Sequence, residues 1–168
     1  MARLLLLRHA RAAWAEPGMR DFDRPLDDAG HVDADTVGAA IVAGGYVPEL
    51  VICSGARRAR ETWNAVARHL HPTSTARFTD DLYITDSAGY LSLIRELADR
   101  SSVMIVGHNP MIEDVCFALA PDGEDAAIEA RASGFPACGL AVIHIPGDFS
   151  QTEPGRGFLE VFHTPAEH

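Results

Sequence analysis

Three short segments of this chain, Leu4–Leu7, Leu50–Cys53 and Val103–Val106, are apolar at every position. A strand with one face in water alternates apolar and polar residues, whereas a strand covered on both faces has no reason to. Solid runs of this length therefore call for a layer of structure on each side, and the intervening stretches supply it. Asp27 is placed to cap a helix running to about Ala43, with Gly44-Gly45 as its stop. A second helix is expected from Ala56 to Leu70, closed by Pro72. Ser87 can cap a third, in which Tyr90, Leu93, Ile94 and Leu97 follow the i, i+3, i+4, i+7 pattern of one buried face. Asn109, with Pro110 at the first helical position, opens a fourth that carries Ile112, Val115, Cys116 and Leu119 at the same spacing.

Strands alternating with helices predict an α/β protein, a three-layer α/β/α arrangement around a mostly parallel central sheet. The first strand spans Arg3–Leu7. Leu140–Ile145 and Phe158–Phe162 are two later strands, close enough in sequence to pair antiparallel. Arg11–Glu16 has no breaker and can hold a short helical turn within a loop that runs to Leu26, and residues 122–125 form an acidic, solvated loop. At 168 residues without repeats or linkers, the chain is expected to be one domain, 1–168.

The formal net charge is −10, from 24 acidic and 14 basic residues. Such a field gives no attraction to nucleic acid or to an anionic membrane, so neither is expected as a partner. An anion site must instead be a local cluster of positive charge, and Arg8, Arg24, Arg57, Arg58 and Arg60 are the candidates. No stretch approaches the ~20 apolar residues of a membrane span, and Leu4–Leu7 is too short for a signal-peptide core. The three cysteines, Cys53, Cys116 and Cys138, are odd in number and far apart, which suits buried thiols in a reducing compartment. A cytoplasmic protein is expected.

The chemistry lies just past the end of each solid strand. The first is followed by Arg8-His9, the second by Ser54 and then Arg57-Arg58, the third by Gly107-His108-Asn109-Pro110. If the three strands are parallel, these segments meet at one sheet edge, where ligands of open α/β sheets bind. Two of them also open helices, whose N-termini favour anions. Two histidines and paired arginines in an acidic protein suit a phosphate dianion. Taken singly, each match has a bland reading: His108 as a loop residue beside a helix start, Arg57 and Arg60 as a solvated helix face. The convergence is what argues for a site.

The other histidines carry less. His69 and His71 sit at a helix end, where a cation suits the dipole, and His31, His144, His163 and His168 have no partner at ligand spacing. No metal and no cofactor is expected. There is no glycine-rich phosphate loop and no GxGxxG, which disfavours those nucleotide-binding folds.

These residues resemble the histidine phosphatase superfamily, the phosphoglycerate mutase-like fold, and within it the small phosphohistidine phosphatases of the SixA type. The resemblance runs from residue 3 to about residue 145. Arg8-His9 is similar to the family's RHG signature, with Ala10 in place of the glycine, a change of little consequence unless the position needs a positive φ. Asp23-Arg24-Pro25-Leu26 resembles an RPL segment of the small members. Ser54 to Thr62 matches a serine, arginine-alanine, threonine spacing that places the family arginine on Arg58, and Gly107-His108-Asn109-Pro110 resembles the second catalytic segment.

The resemblance implies a phosphatase with His9 as nucleophile and Arg8, Arg58 and His108 as its catalytic partners. It implies substrate contacts from Arg24, Asn109 and Ser54. His9 attacks as the neutral ring, and the arginines beside it are expected to lower its pKa by like-charge repulsion. Larger relatives carry an acidic residue on a segment inserted between the second and third strands. This chain has no long insertion there, and Asp80, Asp81 and Asp86 are the candidates, with Asp81 the one chosen for an acid or water-positioning role. Without a strong acid, the expected substrate is a phosphohistidine on a protein, and the expected pathway is signal transduction. Two alternatives stay open: a phosphatase of small phosphate esters, and a non-catalytic phosphate-binding module.

Overall fold

A computed structural model describes residues 2–70 and 74–166. His71, Pro72 and His168 lie outside the described residues. The solid runs form β1 (Ala2–Arg8), β2 (Leu50–Ser54) and β4 (Ser102–Gly107). The remaining strands are β3 (Thr75–Thr79), β5 (Asp122–Gly123), β6 (Leu140–Ile145) and β7 (Phe158–His163). The helices are α1 (Asp28–Gly44), α2 (Arg57–Ala67), α3 (Asp81–Ile84), α4 (Ser87–Arg95), α5 (Met111–Leu119) and α6 (Asp125–Arg131).

The described strands make one seven-stranded sheet in the order β3-β2-β4-β1-β6-β7-β5. β3, β2, β4 and β1 are mutually parallel, and β6 runs antiparallel to both β1 and β7, as the closeness of the last two strands suggests. Period two along β1 decides which layer each leucine joins. Leu4 and Leu6 point into a core built with α4 and α5, where Ile94, Ile112 and Val115 are buried. Leu5 and Leu7 point the other way, onto Val37 and Ile41 of α1 and Trp63 and Val66 of α2. All four leucines have no exposed surface. This double burial is why the run carries no polar residue, and it makes the three-layer α/β/α arrangement a finding.

Asp27 caps α1 by accepting from the Gly30 N–H, and Gly45 ends it in the left-handed conformation. Several expectations move. Arg11–Glu16 is not helical: Ala12 bridges Leu26 in antiparallel fashion and the Ala13 N–H donates to the Pro25 carbonyl (2.8 Å), so the stretch is held extended. α2 ends at Ala67, three residues early. The cap of α4 is Asp86, whose carboxylate accepts from the Gly89 N–H, and not Ser87. Pro110 occupies the position flanking α5, after a cis Asn109–Pro110 bond, while the Asn109 side chain accepts from the Glu113 N–H one turn in. The acidic loop 122–125 instead supplies β5 and starts α6. At Gly30, a Cβ would run into the Arg11 backbone carbonyl, so only glycine lets the loop after β1 cross the start of α1. No helix among the described residues is long and apolar enough to cross a membrane.

Candidate active site

Because β2, β4 and β1 are adjacent and parallel, their C-terminal ends share one sheet edge. Arg8-His9, Ser54 and His108 meet there. The His9 and His108 rings lie 5.1 Å apart, centre to centre, tilted by 56°. Arg58, at the first turn of α2, reaches across so that its Nε donates to Nε2 of His9 (3.3 Å). On the other side of the His9 ring, Nδ1 stands 2.7 Å from the Ala10 carbonyl. A carbonyl only accepts, so the hydrogen-bond network assigns the proton to Nδ1 and leaves the lone pair on Nε2.

The loop before β6 fixes the rest. The Phe135 carbonyl accepts from Arg8 Nη1 (2.9 Å) and from Asn109 Nδ2 (3.0 Å). The Cys138 N–H donates to the carbonyls of both Arg8 and His9. Cys138 is the one non-glycine with a positive φ among the described residues. Ala10 therefore needs no left-handed backbone, and alanine fits where the family signature has glycine. The Ala10 N–H is held by the Thr62 hydroxyl (2.9 Å), which itself donates to the Arg58 carbonyl (2.7 Å), tying the nucleophile loop to α2.

His108 is nearly buried, with Nε2 2.8 Å from the Ser54 hydroxyl, and its backbone N–H donates to the Tyr90 hydroxyl (3.3 Å). Ser54 is fully buried and also accepts from the Ala56 N–H (3.2 Å). Ser54 and Asn109 were expected to touch substrate. In this structure the Ser54 hydroxyl meets His108 and the Ala56 N–H, and the Asn109 amide meets the Phe135 carbonyl and the Glu113 N–H. Arg8 Nε and His108 Nδ1 are buried with no protein hydrogen-bond partner. Buried polar groups are rarely left so, and both of these residues adjoin His9, which suits an anion there.

Over this floor lies a cavity of ≈ 690 Å³ whose lining includes Arg8, His9, Arg11, Trp14, Arg24 and Arg58. Arg24 is held by its Nε on the Ala13 carbonyl (2.9 Å). Asp81 lies elsewhere. It lines a separate groove with Ile84, Thr85, Gly89, Ser92, Leu93 and Glu96, and its own N–H is held by the Thr79 hydroxyl (3.1 Å). Asp86 is committed to its cap. A carboxylate that sequence reading missed, Asp21, stands behind two of the cavity arginines. Its Oδ2 accepts from Arg58 Nη2 (3.0 Å) and the Tyr83 hydroxyl (2.8 Å), its Oδ1 from Arg24 Nη1 (3.1 Å), and its backbone carbonyl from Arg58 Nη1 (2.9 Å). The Tyr83 bond first, then the two arginines, lowers its pKa to about 2. Arg57 and Arg60 lie on an exposed face, Arg57 paired with Glu61 and Arg60 with the Gly55 carbonyl.

Both histidines are held neutral. Burial is the largest cause, ahead of the charge repulsion expected from the arginines. It lowers His9 to about 3, aided by His108, Arg58 and Arg8, and His108 to about 4, aided by Arg58. The ordinary value is 6.5. Below that value the unfolded chain binds protons that the folded protein refuses, so stability falls as pH drops through the window from 6.5 to about 3. Chemical denaturation at pH 7 and pH 5 should show a loss of about 2 kcal/mol per ring. The His108→Gln variant should lose about half as much as the wild type between the same two conditions, and an equal loss would refute the assignment.

The sheet, with two histidines and three arginines at its C-terminal edge, defines a phosphoryl-handling α/β protein. The histidine phosphatase superfamily (branch 1) family model matches residues 4–83. A protein provisionally named phosphohistidine phosphatase SixA from Agrobacterium tumefaciens has a crystal structure that superposes with a TM-score of 0.84 at 39% identity, covering 98% of this chain and 99% of that one. A second, similarly named SixA protein from Nakamurella multipartitia gives 0.84 at 27% identity, over 99% and 97% of the two chains. An uncharacterized protein of Mycobacterium tuberculosis is 33% identical over 162 residues, 95% of this chain and 99% of the relative. The chain belongs to the histidine phosphatase superfamily, and within it to the SixA-type group of phosphatases.

Proposed function

We propose that this phosphatase removes the phosphoryl group from a phosphohistidine carried on a protein, through a phosphorylated His9. The SixA-type likeness supports the substrate class, but one observation carries it: the carboxylate bonded to the cavity arginines, Asp21, is held ionised. It has no proton to give. Asp27, the carboxylate that lines the cavity itself, has its oxygens on the α1 cap and on Arg11. A phosphate ester must expel an alkoxide, which needs an acid. A phosphohistidine protonated on its distal nitrogen expels neutral imidazole, whose conjugate acid has a pKa near roughly 6.5.

In the first step, Nε2 of His9 attacks phosphorus while the bond to the substrate ring nitrogen breaks. The electron pair leaves with that nitrogen as neutral imidazole. His9 then carries phosphorus on Nε2 and a proton on Nδ1, the proton held by the Ala10 carbonyl. Water next attacks phosphorus, the bond to Nε2 breaks, and the water's protons leave with phosphate, returning neutral His9. Arg8, Arg24 and Arg58 bind the phosphoryl oxygens and stabilise charge as it builds, which is most of the catalysis in phosphoryl transfer. The Ser54 hydroxyl, already accepting from Ala56, is set to donate to Nε2 of His108. That leaves Nδ1–H of His108 for a phosphoryl oxygen. Asp81 has no part in this scheme.

The test is a comparison of kcat/KM for a phosphohistidine protein, an aryl phosphate and a panel of sugar phosphates. A preference of about 10²-fold or more for the phosphohistidine over sugar phosphates is expected, the range that one missing transition-state interaction typically costs. A preference for sugar phosphates would replace this reading with the small-ester one. Phosphate binding without any turnover would leave only a binding module.

A further inference from the structure

We infer that Trp14 is a specificity-determining residue that receives the leaving-group side of the substrate and selects a planar aromatic ring there. The inference rests on the proposed phosphatase reading of the His9 site, and adds to it the chemistry of what departs.

Trp14 lines the same cavity as His9, Arg8, Arg24 and Arg58, yet it is 88% exposed. The other tryptophan of this chain, Trp63, is 7% exposed in the core between α1 and α2. A large aromatic left in water at the mouth of a binding cavity gains nothing for folding, while tryptophan is the side chain most enriched at binding hot spots. Its backbone is nevertheless fixed. The preceding residue, Ala13, is held at both ends, its N–H on the Pro25 carbonyl and its carbonyl by Arg24 Nε. The Arg24 guanidinium sits 5.9 Å from the indole ring, within cation–π range, and its other end is anchored on Asp21. The indole is thus an oriented surface beside an anion-binding arginine.

The direction of the reaction gives this surface a role. Attack by His9 Nε2 and departure of the leaving group are in line on opposite sides of phosphorus. The nucleophile and its partners occupy the floor, so the leaving group faces the cavity mouth, where Trp14 stands. An aromatic ring there can stack on the indole, and an aliphatic or carboxylic leaving group cannot. Aromatic pairs are worth a factor of about three to ten in affinity at such a site.

Binding of phenylphosphonate and methylphosphonate isolates this effect from chemistry, because neither is hydrolysed. The wild type should bind phenylphosphonate about three to ten times more tightly. Phenylphosphonate should also perturb the exposed-tryptophan fluorescence, whereas methylphosphonate should not. In Trp14→Ala the ratio of phenylphosphonate to methylphosphonate affinity should fall to about one, and Trp14→Phe should keep most of the preference. For turnover, Trp14→Ala should raise KM for phosphoimidazole and p-nitrophenyl phosphate about three to ten times more than it raises KM for acetyl phosphate. No phenyl preference in the wild type, or one that survives Trp14→Ala, would overturn the inference. A wild type that turns over none of these donors but shows the Trp14-dependent preference would instead overturn the phosphatase reading alone.

Discussion

Replacing His9 with alanine should abolish turnover, by about 10⁴-fold or more in kcat, the scale seen when a nucleophile is removed. The His9 environment explains why no neighbour substitutes for it. The ring is neutral because of burial, so its lone pair is available at neutral pH. The bond from Nδ1 to the Ala10 carbonyl aims Nε2 at the cavity and at Arg58. His108 is as neutral, but its Nε2 is taken up by Ser54. The geometry also specifies the intermediate: the phosphoenzyme should be acid-labile and substituted on Nε2, which phosphorus NMR of the trapped, denatured protein distinguishes from Nδ1. Turnover that persists in His9→Ala, or phosphate found on Nδ1, would end the proposed mechanism.

Arg58→Ala should cost about 10²–10³ in kcat/KM, typical for one transition-state donor. Arg58→Lys should recover little. The guanidinium serves three acceptors at once, with Nε on His9 and Nη1 and Nη2 on Asp21, and a lysine ammonium on a flexible stem cannot reproduce that planar fork. Asp21 is the positioning residue behind it, since it also anchors Arg24 and Tyr83. Asp21→Asn should therefore lower kcat/KM by about tenfold, with the loss in the anion's KM as well as in kcat. Because Arg58 and Asp21 act as one unit, the double variant should lose much less than the sum of the two. Additive losses would mean that Asp21 does not work through Arg58.

Some elements were legible because their signal is local. A run such as Leu4–Leu7 is solid only because both faces of β1 are buried. Asp27 and Gly45 bracket α1 through bonds made within one helical turn. β3 was not legible: Thr75–Thr79 is an edge strand with largely exposed residues, Phe78 among them, so no apolar run marks it, and its pairing with β2 alone makes it a strand. The extended form of Arg11–Glu16 depends on Leu26 and Pro25, more than ten residues away, and no pattern inside the stretch announces them. Trp14 and Tyr83 gave no sequence signal of a site, because a single aromatic has neither periodicity nor spacing.

His9, Arg8, Arg58 and His108 could be grouped from sequence alone, because each comes just after a strand or opens a helix whose own residues declare it. That much is dictated by hydrophobic burial and local capping. Strand order was beyond it, since nothing within β1, β2 or β4 states which neighbour it will pair with. Only the tertiary structure made the three strand ends adjacent. It also put Asp21, and not Asp81, at the arginines, and it set Ser54 against His108 and Asn109 against the Phe135 carbonyl. The physical reason is the same in each case. A hydrogen bond between residues 37 or 54 positions apart depends on where the whole chain has folded, and not on the residues beside either partner.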